Sequence, residues 1–302
     1  MRTPQPVGHV LVVGDVMTDV ICKPTGPLVL GSDRHAQIRM RPGGSGANQA
    51  VWMAAFGLDV RFAARVAAAD VASLTGRFAA DGVDAVLAGD RHLPSGVLVT
   101  IVGENGERSF LTDRGANAAL AAEDLPETLL DGRQVLVVSG YALFEPGPRA
   151  AVMGLFEAAQ RRNVPIGVDP ASTGFLAEVG PENFLAWTRQ ARTIFANADE
   201  ARLLTGESEP EAQMRALGGV YTNVALKLGA AGAAIGGSKG IRLKLAARTV
   251  DVVDSTGAGD AFAAAFIAAE LEGEDLEMCL ARAIAAGSEA VTHFGARPAG
   301  RK

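Results

Sequence analysis

The stretch Asp254-Ser255-Thr256-Gly257-Ala258-Gly259-Asp260-Ala261-Phe262 carries residue types suited to chemistry. A polar, glycine-rich segment gives way to an alanine-rich run with no helix breaker from Ala261 to Ala269. The glycines therefore sit where a helix begins. The first amides of a helix lack internal partners and lie at the positive end of its dipole. Gly257 and Gly259 carry no Cβ, so backbone there can approach a ligand closely. The amides of Gly257, Ala258 and Gly259 make an anion hole suited to phosphate. Asp260 is out of place in a hole that only binds anions, because its carboxylate repels them. Two roles fit it: a first-turn acid facing the helix dipole, or a general base that takes a proton from a hydroxyl attacking the anion.

A second glycine-rich turn, Pro42-Gly43-Gly44-Ser45-Gly46-Ala47-Asn48-Gln49-Ala50, also runs into a helical pattern, which stops at Gly57. Its glycines bring backbone close to a polyol. Asn48 both donates and accepts, which suits neighbouring hydroxyls, or it bonds local backbone at the helix start. Asp15 and Asp19 follow the apolar run His9–Val13. That is the side on which open α/β sheets bind ligands. Asp15 equally suits turn chemistry.

The elements that must position these groups follow from the apolar runs. Strands are expected at His9–Val13, Val60–Ala64, Asp84–Leu87, Gln134–Gly140, Val164–Pro170, Thr193–Asn197 and Asn223–Gly229. A further strand follows Gly232, and helices are expected over Val71–Ala80, Arg149–Arg162 and Leu276–Thr292. This β–α–β alternation predicts a parallel sheet. Two other β-like clusters, Cys22–Met40 and the hairpin of Gly96–Val102 with Arg108–Thr112, stand outside the alternation. A strong turn signal, Gly103–Glu107, joins the hairpin strands.

Composition narrows the classes. The chain has 302 residues, a net charge of -6 and 48% hydrophobic residues. No basic cluster suggests a nucleic-acid face. No uncharged apolar run reaches membrane-spanning length, and the N-terminal residues lack an apolar signal region. Two cysteines, Cys22 and Cys279, fit a reducing cytoplasm better than a disulfide framework. Gly-x-Gly-x-x-Gly does not follow the first strand, which excludes a dinucleotide fingerprint. Gly-x4-Gly-Lys-Ser/Thr is absent too.

The two glycine motifs, in this order and about two hundred residues apart, resemble the paired signatures of the ribokinase-like (PfkB) carbohydrate kinases. The resemblance implies a three-layer α/β/α fold with a mainly parallel central sheet and a small projecting β lid, here segments 20–42 and 92–113 of one kinase domain. It implies ATP-dependent phosphorylation of a hydroxyl on a small sugar, with Asp260 as the base. By resemblance, Asp19, Gly43, Gly44 and Asn48 contact the sugar. Asn197, Lys227, Gly229, Gly232, Thr256, Gly257 and Gly259 hold the nucleotide. Glu200, in an Asn-x-x-Glu motif, holds Mg²⁺ through water, and Asp254 matches a position that can ligate K⁺. For Asn197 and Glu200 a reciprocal helix cap is the other reading. Asp169 is expected to shape the wall near the phosphates, and Gly115-Ala116-Asn117 to lie beside the substrate. A homodimer through the lid is expected, since open sheet edges find partners.

The chain also departs from the family. Met17 and Ser45 replace the Asn and Lys common in ribokinases, and no Asn stands near Ile284 to meet a base. Asp169-Pro170-Ala171-Ser172 lacks the Asp-x-Asn-x-Arg of fructose and keto-deoxygluconate kinases. A nucleoside kinase of adenosine- or pseudouridine-like type is the alternative, though few aromatics are present to stack a base. A catalytically silent nucleotide or sugar sensor is the rival of another class; an intact Asp260 and Gly-Ala-Gly stand against it. Arg114 is expected to pair with Asp113 or a surface carboxylate, and otherwise to meet an anionic substituent of the substrate.

Overall fold

The computed structural model describes residues 8–103 and 107–299. The strands are β1 (His9–Val13), β2 (Met17–Pro24), β3 (Ala36–Gly43), β4 (Asp59–Ala67), β5 (Val83–Asp90), β6 (Gly96–Val102), β7 (Arg108–Asp113), β8 (Val135–Ser139), β9 (Ile166–Asp169), β10 (Thr193–Asn197), β11 (Asn223–Lys227), β12 (Ala233–Gly237) and β13 (Gly240–Leu245). The helices are α1 (Ser45–Ala55), α2 (Val71–Ala80), α3 (Pro146–Arg161), α4 (Thr173–Val179), α5 (Pro181–Thr188), α6 (Ala198–Thr205), α7 (Pro210–Gly218), α8 (Ala258–Leu271) and α9 (Leu276–Ala290).

The large sheet has the order β13-β12-β11-β10-β9-β8-β1-β4-β5. It is parallel from β5 to β11 and closes with β12 and β13 antiparallel. Its strands are buried on both faces and so read as continuous apolar runs. Side-chain alternation along β1 divides two cores. Val10 and Val12 pack with α1, α2, α8 and α9, whereas Leu11 and Val13 pack with α3 through α7. Helices thus cover both faces, giving three layers. Fully burying a Leu- or Phe-sized side chain contributes roughly 1.5–3 kcal/mol, and the cores hold many, Leu136, Phe62 and Phe266 among them. Among the described residues, no helix is long and apolar enough to cross a membrane.

The chain leaves β1 toward β4 on one side and returns with β8 on the other. That reversal is a topological switch point, and a crevice opens at the strand C-termini there. A second, four-stranded sheet of order β3-β2-β6-β7 grows from the same place, because β2 begins a few residues after β1. It starts at Met17, earlier than the sequence boundary near residue 20. Register places Met17, Asp19, Leu98, Phe110 and Thr112 on one face. Val20, Ile38, Met40, Val99 and Leu111 share the other. Of the turn between β6 and β7, residues Glu104, Asn105 and Gly106 lie outside the described residues.

Candidate active site

The two glycine motifs meet across the switch point. Gly14, at the end of β1, packs backbone to backbone on Gly46 at the start of α1, and a Cβ on Gly14 would lie 2.6 Å from Gly46 Cα. Gly44 precedes the helix with φ of 94°, a conformation that favours glycine, and a Cβ there would lie 2.5 Å from the Asp15 carbonyl oxygen. Asp15 serves this junction: its Oδ1 accepts from the Gly46 amide at 3.1 Å, and its carbonyl accepts from Ala47 N. Asp15 therefore holds the turn.

Helix α1 then points three side chains at Asp260, in the first turn of α8. Ser45 Oγ donates to Asp260 Oδ1 at 2.7 Å and Gln49 Nε2 donates to it at 3.2 Å. Asn48 Nδ2 donates to Oδ2 at 3.2 Å. The Asp260 carboxyl is 9% exposed. Burial, with the charge of Asp169 adding to it, pushes its pKa up to about 7, against the Ser45 and Asn48 hydrogen bonds and Lys227. A carboxyl that titrates near neutrality can release and take a proton at working pH.

Lys227, at the end of β11, lies between the acids. Its Nζ pairs with Asp169 Oδ2 at 2.8 Å and would touch a Cβ placed on Gly259 at 3.0 Å. Burial works against its charge, but Asp169, Glu200 and Asp260 outweigh burial and raise its pKa. Asn197 and Glu200 form the reciprocal cap of α6. Asn197 Oδ1 accepts from the amides of Asp199 and Glu200, both at 2.9 Å, and Glu200 Oε2 accepts from Asn197 N at 2.8 Å. Glu200 is buried, and burial pushes its pKa up to about 7, with Lys227 opposing and Asp169 reinforcing. Lys227 and the Asn197 amide offset part of the burial of its ionised form. No group of three or more His, Cys, Asp or Glu among the described residues forms a metal site alone. A hard cation here would take ligands from phosphates and water.

Asp254 closes the other side of the α8 start. Oδ1 accepts from Thr256 N at 3.0 Å and Thr256 Oγ1 at 2.7 Å, and Oδ2 accepts from Gly295 N at 3.1 Å. The segment after α9 is part of the site. Ala296 packs against Gly257, whose φ is 80° and where a Cβ would lie 2.5 Å from Ala296 O. Trp52 Nε1 donates to that oxygen at 2.9 Å, and Arg297 Nε donates to Asn48 Oδ1 at 3.4 Å.

Asp19 and Gly43 are matched across β2 and β3: a Cβ on Gly43 would lie 2.2 Å from Asp19 Oδ1. That oxygen is buried with no hydrogen-bond partner. Burial first, and Asp15 next, push the Asp19 pKa up to about 6, with Arg297 opposing. Two sequence readings change. Asn117 is spent on structure: it accepts from Val16 N and donates to the carbonyls of Val16 and Arg114, each at 2.9 Å. Arg114 does not pair with Asp113, whose Oδ1 accepts from Gly115 N. The guanidinium is instead buried over the Tyr141 ring, 5.2 Å from its centroid.

Two clefts meet at this cluster. The larger, about 810 Å³, is lined by Asp15, Asp19, Gly44, Asn48, Thr256 and Asp260, with one face of the small sheet above it. The smaller, about 470 Å³, is mostly apolar and is lined by Gly229, Gly232, Val250, Phe262, Ile284 and Val291. Asn197, Lys227, Ser255 and Gly259 border both.

Fold and site together describe an α/β protein that can hold a hydroxyl-rich molecule against an anion at a helix start. The chain belongs to the pfkB family of carbohydrate kinases, whose model matches residues 7–301. Guanosine-inosine kinase of Escherichia coli K12 is 36% identical over 122 residues, 39% of this chain and 28% of that protein. Bifunctional protein HldE of Pseudomonas paraeruginosa is 34% identical over 305 residues, 92% of this chain and 59% of that protein. The chain thus spans less than two thirds of the length of either relative. A probable sugar kinase from Rhizobium etli CFN 42 superposes with a TM-score of 0.87 at 23% identity, over 98% of this chain and 96% of that one. An Escherichia coli structure described as a putative ribokinase II, with ATP and Mg²⁺, does so at 0.84 and 23%, over 96% and 94%. At these identities the superpositions show the fold.

Proposed function

We propose that the protein transfers the γ-phosphoryl group of ATP to a hydroxyl of a small sugar or sugar-bearing substrate. The observation that carries the proposal is the meeting of a hydroxyl-binding cleft and an apolar, base-sized cleft at the glycine-opened start of α8. The substrate lies under the small sheet, with hydroxyls on Asp19, Asn48 and the backbone of Gly43 and Gly44. The nucleotide lies against Gly229 and Gly232, with its phosphates near Asn197, Lys227 and Thr256. Asp260 accepts the proton of the attacking hydroxyl. The carboxylate is held in place by Ser45, Asn48 and Gln49, so little reorganisation precedes attack. Amides of Gly257, Ala258 and Gly259 stabilise charge on the transferring group. Mg²⁺, when bound, would neutralise phosphate charge, and Glu200 would hold it through water. Asp254 is the residue through which K⁺ would act.

The small sheet serves as a lid that excludes water and limits ATP hydrolysis. Its far face, with Ile38, Met40 and Leu111 each more than half exposed, is the dimer surface. Ile38→Glu with Met40→Glu should give a monomer by sedimentation where wild type sediments as a dimer. Both cysteines are free thiols, which suits a reducing cytoplasm. The direct test is ADP release with ATP and Mg²⁺ over pentoses, hexoses, sugar phosphates and nucleosides, with and without K⁺. Release stimulated by an acceptor supports the proposal. Release that no acceptor raises above the ATP-only rate overturns it.

A nucleoside acceptor is the second reading, favoured by one observation: Phe110, Tyr141 and Phe175 all line the larger cleft. The scarcity of aromatics in the sequence hid this local concentration.

A further inference from the structure

The larger cleft contains one cation that the phosphotransferase reading does not use. Arg114 is 8% exposed, and its Nε and Nη1 have no hydrogen-bond partner. It lines the cleft with its guanidinium over Tyr141. Its backbone is pinned, since Asn117 ties the Arg114 carbonyl to the segment between β1 and β2. A guanidinium has five donors in a fixed fork and no acceptor. Leaving those donors buried and unfilled is costly, so a ligand that supplies acceptors is favoured there.

The surroundings decide between acceptors. Asp15, Asp19, Glu178, Glu200 and Asp260 line the same cleft, and the second cation, Lys227, is already bound to Asp169. Each of these carboxyl groups, when ionised, would repel an added phosphate or carboxylate at Arg114. An uncharged carbonyl oxygen would not be repelled in this way. Apolar side chains line the cleft as well: Met17, Leu98 and Phe110 from the small sheet, with Tyr141, beside the guanidinium, and Phe175. Phe175 is itself fixed by stacking on Phe144 at 5.3 Å.

We propose that Arg114 is a specificity residue that reads the carbonyl edge of a planar, uncharged ring on the substrate, an oxo-nucleobase, remote from the hydroxyl offered to Asp260. This rests on the kinase reading above and narrows its acceptor to a nucleoside. A donor-only fork accepts nothing from an amino group, so the site prefers a base bearing a ring carbonyl to the matched base bearing an amine. Inosine is preferred to adenosine, and uridine to cytidine, in whichever size class the cleft admits.

The test is calorimetric binding of both matched pairs, and of ribose 5-phosphate, to the full chain without ATP. Wild type is compared with Arg114→Met and Arg114→Lys. The expected result is a preference of about 10- to 100-fold for the oxo member of at least one pair. Arg114→Met should abolish it, and Arg114→Lys should lose most of it, since charge without the planar fork does not replace the two-point contact. The Lys variant keeps the test decisive if Met disturbs folding. Absence of nucleoside binding, no preference in wild type, or a preference unchanged in both variants overturns the proposal. So does Arg114-dependent binding of ribose 5-phosphate tighter than of the nucleosides. Binding discrimination without acceptor-stimulated ADP release would sustain Arg114 while sinking the phosphotransferase reading. Turnover of a free sugar with no nucleoside binding would do the reverse.

Discussion

Asp260→Asn should make the protein more stable at high pH, with the gain shrinking as pH falls. Burial lifts the Asp260 carboxyl from 3.8 to about 7. The folded state therefore binds the proton more tightly than the unfolded chain. Stability from this group is complete below the unfolded value and is lost as pH climbs through about 7. A shift of roughly three units corresponds to about 4 kcal/mol at high pH, at about 1.4 kcal/mol per unit. The whole amount does not return in the variant. Asn keeps an oxygen for Ser45 and Gln49, but its NH₂ faces the donating Asn48 amide, which costs roughly 1–3 kcal/mol. That cost does not vary with pH, so the difference between two pH values isolates the carboxyl. Linkage gives a penalty of roughly 2 kcal/mol at about pH 5 and about 4 kcal/mol at about pH 8.5. The variant should thus gain roughly 2–3 kcal/mol on wild type between these values, or about 5 °C in Tm. Urea unfolding of the ligand-free protein, followed by circular dichroism at both pH values, reads it. A difference that stays flat or shrinks with rising pH would show that burial does not raise the Asp260 carboxyl.

Acceptor-dependent kcat/KM should fall about tenfold per pH unit below about pH 7, because only the ionised form of Asp260 accepts a proton; a profile flat down to pH 5 would exclude it as the base. Lys227→Met should destabilise by about 3–5 kcal/mol, more at high pH than low, since it leaves Asp169 and Glu200 facing each other; urea titrations at two pH values test this. Gly43→Ala places a methyl against the Asp19 carboxylate and should raise the acceptor KM at least about tenfold, with ATP binding unchanged in a parallel titration.

The parts of the molecule written in local signals were legible in the sequence. Glycine-to-alanine transitions located the starts of α1 and α8, and apolar runs located β1 and β10, each at both ends. The parts that depend on distant contacts were not. Ser45 looked like a lost lysine, yet it bonds a carboxylate 215 residues away. Gln49, which also donates to Asp260, gave no signal at all. Arg114 was expected to pair with Asp113 or a surface carboxylate, yet it is buried with its guanidinium over Tyr141, on a different element. Helices α4 and α5 escaped notice because they are short and are divided by Gly180 and Pro181. The clasp of Gly295 to Arg297 lacks any helical or strand pattern. Its role comes from packing on Gly257, Trp52 and Asn48.

The central claim is that Asp260 takes the proton during phosphoryl transfer. Single-turnover transfer from ATP to the best acceptor, compared between wild type and Asp260→Asn at equal, saturating occupancy, tests it directly. A rate lowered about 10²- to 10⁴-fold, in a variant that is folded and binds both ligands, is the predicted result. Transfer at close to the wild-type rate would contradict the assignment and require another group to accept the proton.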